Sequence, residues 1–148
     1  MYTNLSCMTM TINITGIRHL NEVQKDFNDY FPYLKIEFFK KSHGIEKASP
    51  AQRILPHNQT IGEARSKTEE GYFELWPEMT VAELEQSFWS KYGLSIQVFR
   101  KSGNLWLETT MTDKWTLSQQ NKHGQEISTP TLKSDTNEND YELKRGED

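Results

Sequence analysis

The residue types that bind metals or catalyse reactions occur in this chain, but their spacing does not bring them together. The four histidines (His19, His43, His57 and His123) form no HxH or HxxxH pair, the spacings that place two ligands on one side of an element. Cys7 is the only cysteine. The eight glycines form neither a GxGxxG nor a GxxxxGKS/T loop. The sequence therefore predicts no metal and no other cofactor, and it favours a protein without catalytic residues.

Asp113, in the segment TTMTDKW, is the acidic residue best suited to acid–base chemistry. We expect it at the end of a strand near Trp115, where loss of water would raise the pKa of its carboxyl group. The same position suits a turn or a helix cap. An enzyme stays open as an alternative, and it requires folding to bring His43 and His57 together with Asp113 or Glu108.

A pattern of aromatic and basic residues that occurs twice is the strongest candidate for a functional site. Residues 34–42 read LKIEFFKKS and residues 94–102 read LSIQVFRKS. Both segments alternate as a strand with one buried face, yet each places a Phe on the polar face and follows it with two basic residues. Trp106 is expected to join Phe99 as a cross-strand aromatic pair. The candidate binding residues are Phe39, Lys40, Lys41, Phe99, Arg100, Lys101 and Trp106.

Three interpretations of this pattern are open. In the first, both faces of the sheet are covered, so Phe39 and Phe99 belong to the core. In the second, exposed aromatic rings with basic neighbours bind a protein, which is the usual composition of an interface centre. In the third, the bases of single-stranded nucleic acid stack on the rings. As a function we expect a non-enzymatic protein-interaction module, with nucleic-acid binding as the alternative.

The two segments belong to a longer internal repeat. Five of their nine residues are identical at an offset of 60, and upstream the offset becomes 61, where Ile12 and Ile14 match Phe73 and Leu75. Downstream, TIGEAR at 60–65 resembles TLSQQN at 116–121. A fixed offset of this kind is typical of a duplicated unit.

Each unit is predicted to contain a strand, a helix and a second strand. Residues 10–14 and 34–38 alternate as strands, and between them apolar residues from Leu20 to Phe27 recur with helical spacing. A βαβ crossover would make the two strands parallel. We therefore predict an α+β fold of two tandem βαβ-containing repeats, each with a small mixed sheet and one main helix.

Local signals predict where several elements begin and end. Thr80 with Glu83 has the spacing of a capping box, as do Thr60 with Glu63 and Thr116 with Gln119, each of which is expected to open a short helical turn. Gly93 suits a helix C-terminal cap. The sequence Ser102-Gly103-Asn104 predicts a hairpin turn. Near Gln52 to Leu55 we expect at most a degraded strand.

Charge divides the 148 residues into a body and an acidic tail. Residues 128–148 carry six acidic and three basic side chains, so they hold −3 of the net charge of −4 and leave a nearly neutral body. A neutral body disfavours nucleic-acid binding. We expect a flexible N-terminus at 1–8, a first repeat with an irregular linker at 9–70, a second repeat at 71–127, and a disordered tail at 128–148.

Location and assembly are predicted from what the sequence lacks. No run approaches the roughly 18 apolar residues that span a bilayer, so no membrane partner is expected. The first residues have neither the basic start nor the apolar run of a signal peptide, which favours the cytoplasm. We expect a monomer or a homodimer with a protein partner.

The segments MTVAELE, GLSIQVFRKSG and TDKWTL, within residues 9–127, resemble small conserved bacterial proteins of Bacteroides-like organisms. That resemblance implies no particular activity. The second half also partly resembles a ubiquitin-like, or β-grasp, pattern, with a strand, the helix beginning TVAELE, the strand LSIQVF, a hairpin and the TLSQQN turn.

Overall fold

The computed structural model describes residues 10–40 and 54–129, in which short strands alternate with helices. The α+β class predicted from the periodicity is confirmed. In chain order the elements are β1 (Met10–Ile14), α1 (Leu20–Tyr30), β2 (Leu34–Phe39), α2 (Ile61–Ala64), β3 (Gly71–Leu75), α3 (Val81–Tyr92), β4 (Ser95–Ser102), β5 (Leu105–Glu108), a 3-10 turn (Thr110–Thr112) and α4 (Leu117–Ser128).

The strands form two antiparallel sheets, one of β1 with β3 and one in the order β2-β4-β5. The predicted parallel pairing of the two strands that flank each helix is wrong. Helix α1 carries the chain from the first sheet to the second, and α3 does the same, so the flanking strands lie in different sheets. Each of these four flanking strands pairs instead with a strand from the other half of the chain, and β5 pairs with β4.

The register relates the two halves closely. Ile12 lies opposite Phe73, and Glu37 lies opposite Gln97, so each central pair joins residues that stand 61 or 60 positions apart in the sequence. Isolated bridges join His19 to Thr60 and Thr80 to Thr116. The residues that follow the four bridge residues make corresponding backbone hydrogen bonds in the two halves. Leu20 N donates to Gln59 O as Val81 N donates to Trp115 O, and Ile61 N donates to Arg18 O as Leu117 N donates to Met79 O.

The three capping boxes are confirmed. Thr60, Thr80 and Thr116 each accept a hydrogen bond from the backbone N–H three residues on, and the residue there accepts one in return. Gly93 caps α3 with φ of 66°, and a Cβ atom there would collide with Ser66 Oγ. A side chain at this position would therefore be strained by the backbone conformation and would also displace Ser66.

Helix α4 is longer than predicted, since it continues from Leu117 to Ser128 rather than making a short turn. Its buried positions are Leu117, Gln120 and Gly124. Gly124 packs so closely that a Cβ atom would lie 3.0 Å from Arg100 Cγ. Because two of the three buried residues are not apolar, the sequence carries only a weak helical pattern here.

One hydrophobic core lies between the sheets and the helices. It joins the alternating residues of the strands to one side of α1 and of α3, and Phe73, Phe88 and Tyr92 meet edge to face within it. Both sheets therefore bury one face against the helices. In residues 10–40 and 54–129, no helix has the length and apolar composition needed to cross a bilayer.

Candidate functional site

Three of the seven predicted site residues lie together on one surface. Phe99 and Lys101 alternate with the buried residues of β4, and Trp106 lies opposite Lys101, so all three lie on the face of the three-stranded sheet directed away from the core, which we call the outer face. Lys35 of β2 lies opposite Phe99 and joins them. We call these four residues the aromatic–lysine cluster.

Lysine side chains connect the two rings of the cluster. Lys35 Nζ lies 5.7 Å from the ring centroid of Phe99 and 5.1 Å from that of Trp106, and Lys101 Nζ lies 6.0 Å from the Trp106 centroid. The register places Trp106 opposite Lys101 and Phe99 opposite Glu108, so the two aromatic residues are diagonal neighbours on adjacent strands. All four residues of the cluster are half-buried.

The other four predicted residues lie elsewhere. Phe39 is only 6% exposed and forms a bridge to Ile54, so its proposed role on an open surface is wrong. Arg100 belongs to the opposite face, where Nη1 donates to Gln120 Oε1 at 2.8 Å and the guanidinium lies 6.0 Å from the Trp115 ring. Lys40 is exposed at the end of β2. Lys41 lies outside the described residues.

The outer face is balanced in charge. Lys35 and Lys101 stand beside Glu37 and Glu108 in the register. Lys35 Nζ lies 3.1 Å from Glu37 Oε2, and the other carboxylate oxygen of Glu37 is 2.9 Å from His57 Nε2. The described part of this face therefore does not form the basic surface that the KK and RK pairs suggested.

Side chains of α1 close the free edge of β2. The outward carbonyls of this strand accept hydrogen bonds from Asn28 Nδ2 at Leu34 (2.8 Å) and from Gln24 Nε2 at Ile36 (2.7 Å). The backbone N–H of Leu55 donates to the next outward carbonyl, that of Phe38. No further strand can use these acceptors.

The edge of β5 is open by comparison. Thr109 N donates to Val98 O, and antiparallel strands bond at alternate residues, so the backbone N–H and C=O groups of Trp106 and Glu108 are directed away from β4. Within the described ranges no hydrogen bond reaches these groups. Leu105 and Leu107, on the inner side of the same strand, are 65% and 41% exposed.

Glu85 of α3 lies beside Val98 of β4, next to the point where the pairing of β4 with β5 ends. Its Oε2 accepts a hydrogen bond from Val98 N at 3.0 Å, and it stands 61 positions after Gln24, which binds the edge of β2. Burial raises the pKa of the Glu85 carboxyl to about 7; the Val98 N–H opposes the rise, and the negative charges of Asp113 and Glu108 add to it. Of the residues with a shifted pKa, Glu85 is the one held at a strand edge.

A groove of about 370 Å³ lies beside β3, lined by Tyr72, Trp76 and Lys91 among others. The corresponding position beside β1 is filled: the Tyr30 hydroxyl accepts from Thr11 N at 3.2 Å and donates to Thr11 O at 2.8 Å. Lys91 stands 61 positions after Tyr30. The groove therefore lies where the other half of the chain places a phenol ring.

The residues considered for catalysis remain apart. His57 contacts Glu37, whereas Asp113 and Glu108 influence Glu85, and His43 lies outside the described residues. His123 packs edge to face on Trp115, with ring centroids 5.6 Å apart. Among the residues the structure describes, no three His, Cys, Asp or Glu side chains converge on a point where a metal could bind.

Comparison of the chain with protein-family models, curated proteins and solved structures finds no match. The site must therefore be interpreted from its own geometry. Sequence reasoning missed Lys35, Glu85 and the open edge of β5. The alternation of β2 does place Lys35 on the outer face, but the strand pairing that brings it to Phe99 and Trp106 is tertiary.

Proposed function

We propose that this chain is a non-enzymatic protein-interaction module whose binding surface is the aromatic–lysine cluster. The observation that carries the proposal is the contact of Lys35 with both Phe99 and Trp106, on a sheet face directed away from the core and its helices. Interface centres are enriched in such aromatic residues, because large rigid rings bury much area at a small entropic cost. The lysine stems already hold the rings in place, which lowers the cost of ordering them on binding.

The proposal includes a duplicated unit. It is supported by the corresponding hydrogen bonds at the paired helix caps and by strand pairing that is centred on Ile12 with Phe73 and on Glu37 with Gln97. The two units then differ in the exposure of their matched phenylalanines. In the first, Phe39 is buried and forms a bridge to Ile54, whereas in the second Phe99 lies on the outer face and is half-buried.

The charge balance of the outer face favours protein over single-stranded nucleic acid. The buried Glu37 pairs with Lys35, and Glu108 lies opposite Phe99, so one lysine is already neutralised and a phosphate beside the rings would meet the Glu108 carboxylate. Nucleic-acid binding surfaces normally carry a clear basic excess. A fluorescent unstructured oligonucleotide, titrated at low salt, provides the test, and tight binding that weakens steeply with salt would favour the alternative.

The direct test is affinity capture from a lysate of the organism that encodes the protein, with quantitative mass spectrometry. The double variant Phe99→Ala/Trp106→Ala should lose the captured partner, with recovery falling about tenfold or more. Trp89→Ala is the matched control, since Trp89 is 41% exposed on α3 and outside the cluster. Retained capture of the partner by the double variant would contradict the proposal. So would the finding that the wild type captures no partner while the double variant unfolds.

A further inference from the structure

The open edge of β5 is complementary to a second copy of itself. Its outward backbone groups belong to Trp106 and Glu108, which are separated by one residue, Leu107. If two β5 strands meet antiparallel about an axis through Leu107, Trp106 of each copy lies opposite Glu108 of the other. Every outward N–H and C=O group of the two residues then has a partner.

The side chains on both faces fit the same register. On the outer face, Glu108 of the second copy would lie beside Trp106, whose ring already has Lys101 Nζ at 6.0 Å and Lys35 Nζ at 5.1 Å. On the inner face, the two Leu107 side chains, each 41% exposed, would meet at the axis. On the outer face Lys35 is paired with the buried Glu37, and Lys101 and Glu108 carry opposite charges, so the face suits a second copy of itself better than a strongly charged partner.

We propose that the chain forms a twofold-symmetric homodimer by antiparallel pairing of β5 with β5 of a second copy. The pairing joins two three-stranded sheets into one continuous sheet of six strands and brings the two aromatic–lysine clusters onto one surface. The opposite edge of the sheet cannot serve, because Asn28, Gln24 and Leu55 already occupy the outward carbonyls of β2. The dimer does not depend on the proposed protein partner, although it would double the surface offered to one.

The backbone part of the proposal is tested with the full-length chain by sedimentation velocity over a wide concentration range. The wild type should show a monomer–dimer equilibrium in the micromolar range, typical of a small interface. Glu108→Pro removes an outward N–H without touching the bonds to β4, so it should weaken dimerisation by about tenfold or more. Glu108→Ala keeps that N–H and should weaken it less.

Leu107→Lys should abolish the dimer, since it places two like charges at the axis. The control Ile17→Lys, at a position 84% exposed in the first half, should not. Charge reversal tests the proposed register of the two β5 strands. Lys101→Glu and Glu108→Lys should each weaken the dimer, and the double variant should restore it. Lys101 and Glu108 of one copy are also diagonal neighbours, so restoration supports the register only if the two single variants unfold at the same temperature as the wild type.

Two outcomes would overturn the proposal. One is a wild type that remains monomeric at every concentration. The other is a dimer that Leu107→Lys and Glu108→Pro leave intact, which would place the interface elsewhere. Amide hydrogen exchange adds a third measurement, in which protection of the Trp106 and Glu108 amides should increase with protein concentration. Protection of these amides in a monomer would mean that another part of the chain binds the edge of β5, and it would also contradict the dimer. Phe99→Ala should leave the dimer unchanged, so failure of partner capture is distinguishable from failure of dimerisation.

Discussion

The two halves of this molecule place strands and helices alike but treat the edges of their strands differently. In the first half, Gln24 and Asn28 bind the outward carbonyls of β2, and Tyr30 binds the backbone of Thr11 in β1. In the second half, a groove lies beside Lys91, the position that corresponds to Tyr30, and the edge of β5 is open. Open edges invite pairing with other chains, and native proteins usually block them.

Side chains beside a strand edge affect both the stability of the fold and its capacity to bind other chains. A side-chain amide or phenol at a strand edge satisfies backbone groups that would otherwise bind a partner. At the positions 61 residues after Gln24 and Tyr30 the second half has Glu85 and Lys91, and there the edge is bound by an ionisable group or is left accessible. We therefore expect the first half to tolerate few changes at its edges and the second half to respond to pH and to partners.

The largest difference should come from the two matched phenylalanines. Phe39→Ala should lower the free energy of unfolding by about 3 kcal/mol, because it leaves a cavity where a large buried side chain was packed. Phe99→Ala should cost about 1 kcal/mol, because the Phe99 side chain is half-buried at the surface. Chemical denaturation of both variants measures the difference. Equal losses of unfolding free energy would show that Phe39 and Phe99 contribute alike to the fold.

Opening the edge of β2 should be the next largest effect. The double variant Gln24→Ala/Asn28→Ala leaves the carbonyls of Leu34 and Ile36 without their donors and should lower the free energy of unfolding by about 2 kcal/mol. Asn21→Ala is a control on the exposed side of α1. Thermal and urea unfolding provide the measurement. If the double variant and the control behaved alike, closure of this edge would not contribute to stability.

Acidification should stabilise the protein through Glu85. Because its pKa is raised to about 7 in the folded chain, the folded state holds a proton that the unfolded state releases near pH 4.5. The free energy of unfolding should therefore fall by roughly 2 kcal/mol as the pH rises from 4.5 to 7, and change little through this group above that range.

The matched variant is Glu85→Gln, which keeps an oxygen acceptor for Val98 N and gives the second half the amide that the first half has at position 24. It should remove the fall between pH 4.5 and 7. Urea unfolding at several pH values measures both proteins. A variant with the wild-type pH profile would show that another group causes the dependence.

The smallest expected effect concerns the phenol at the edge of β1. Tyr30→Phe loses both bonds to Thr11 and should cost about 1 kcal/mol. Conversely, Lys91→Tyr should place a phenol in the groove beside β3 and raise the free energy of unfolding by up to about 1 kcal/mol. Calorimetry of the two variants compares the halves directly. A destabilising Lys91→Tyr would mean that the groove does not correspond to the Tyr30 site.

Local features of the fold were predictable from the sequence. Strand alternation and the spacing of Thr80 with Glu83 are short-range signals, and the bonds they predict form between residues only a few positions apart. The C-terminal cap at Gly93 has the same origin, since its left-handed conformation favours glycine.

Features that depend on distant residues were not predictable. Phe39 and Phe99 occupy the same local pattern, and only the bridge from Ile54 separates a buried ring from a presented one. The cross-pairing of strands from different halves has no local signal. The full length of α4 was missed because its buried side consists of Gln120 and Gly124 as well as Leu117.

Because β1 pairs with β3 and β2 pairs with β4, the molecule can be divided between residues 40 and 54 into pieces that share two ladders, of five and six residue pairs. One piece would carry β1 and β2 and the other β3, β4 and β5, so each would lack the partner strands of both ladders. Co-expressed, the pieces should reassemble like a split protein, and attaching them to two interacting proteins would turn the fold into a reporter of proximity.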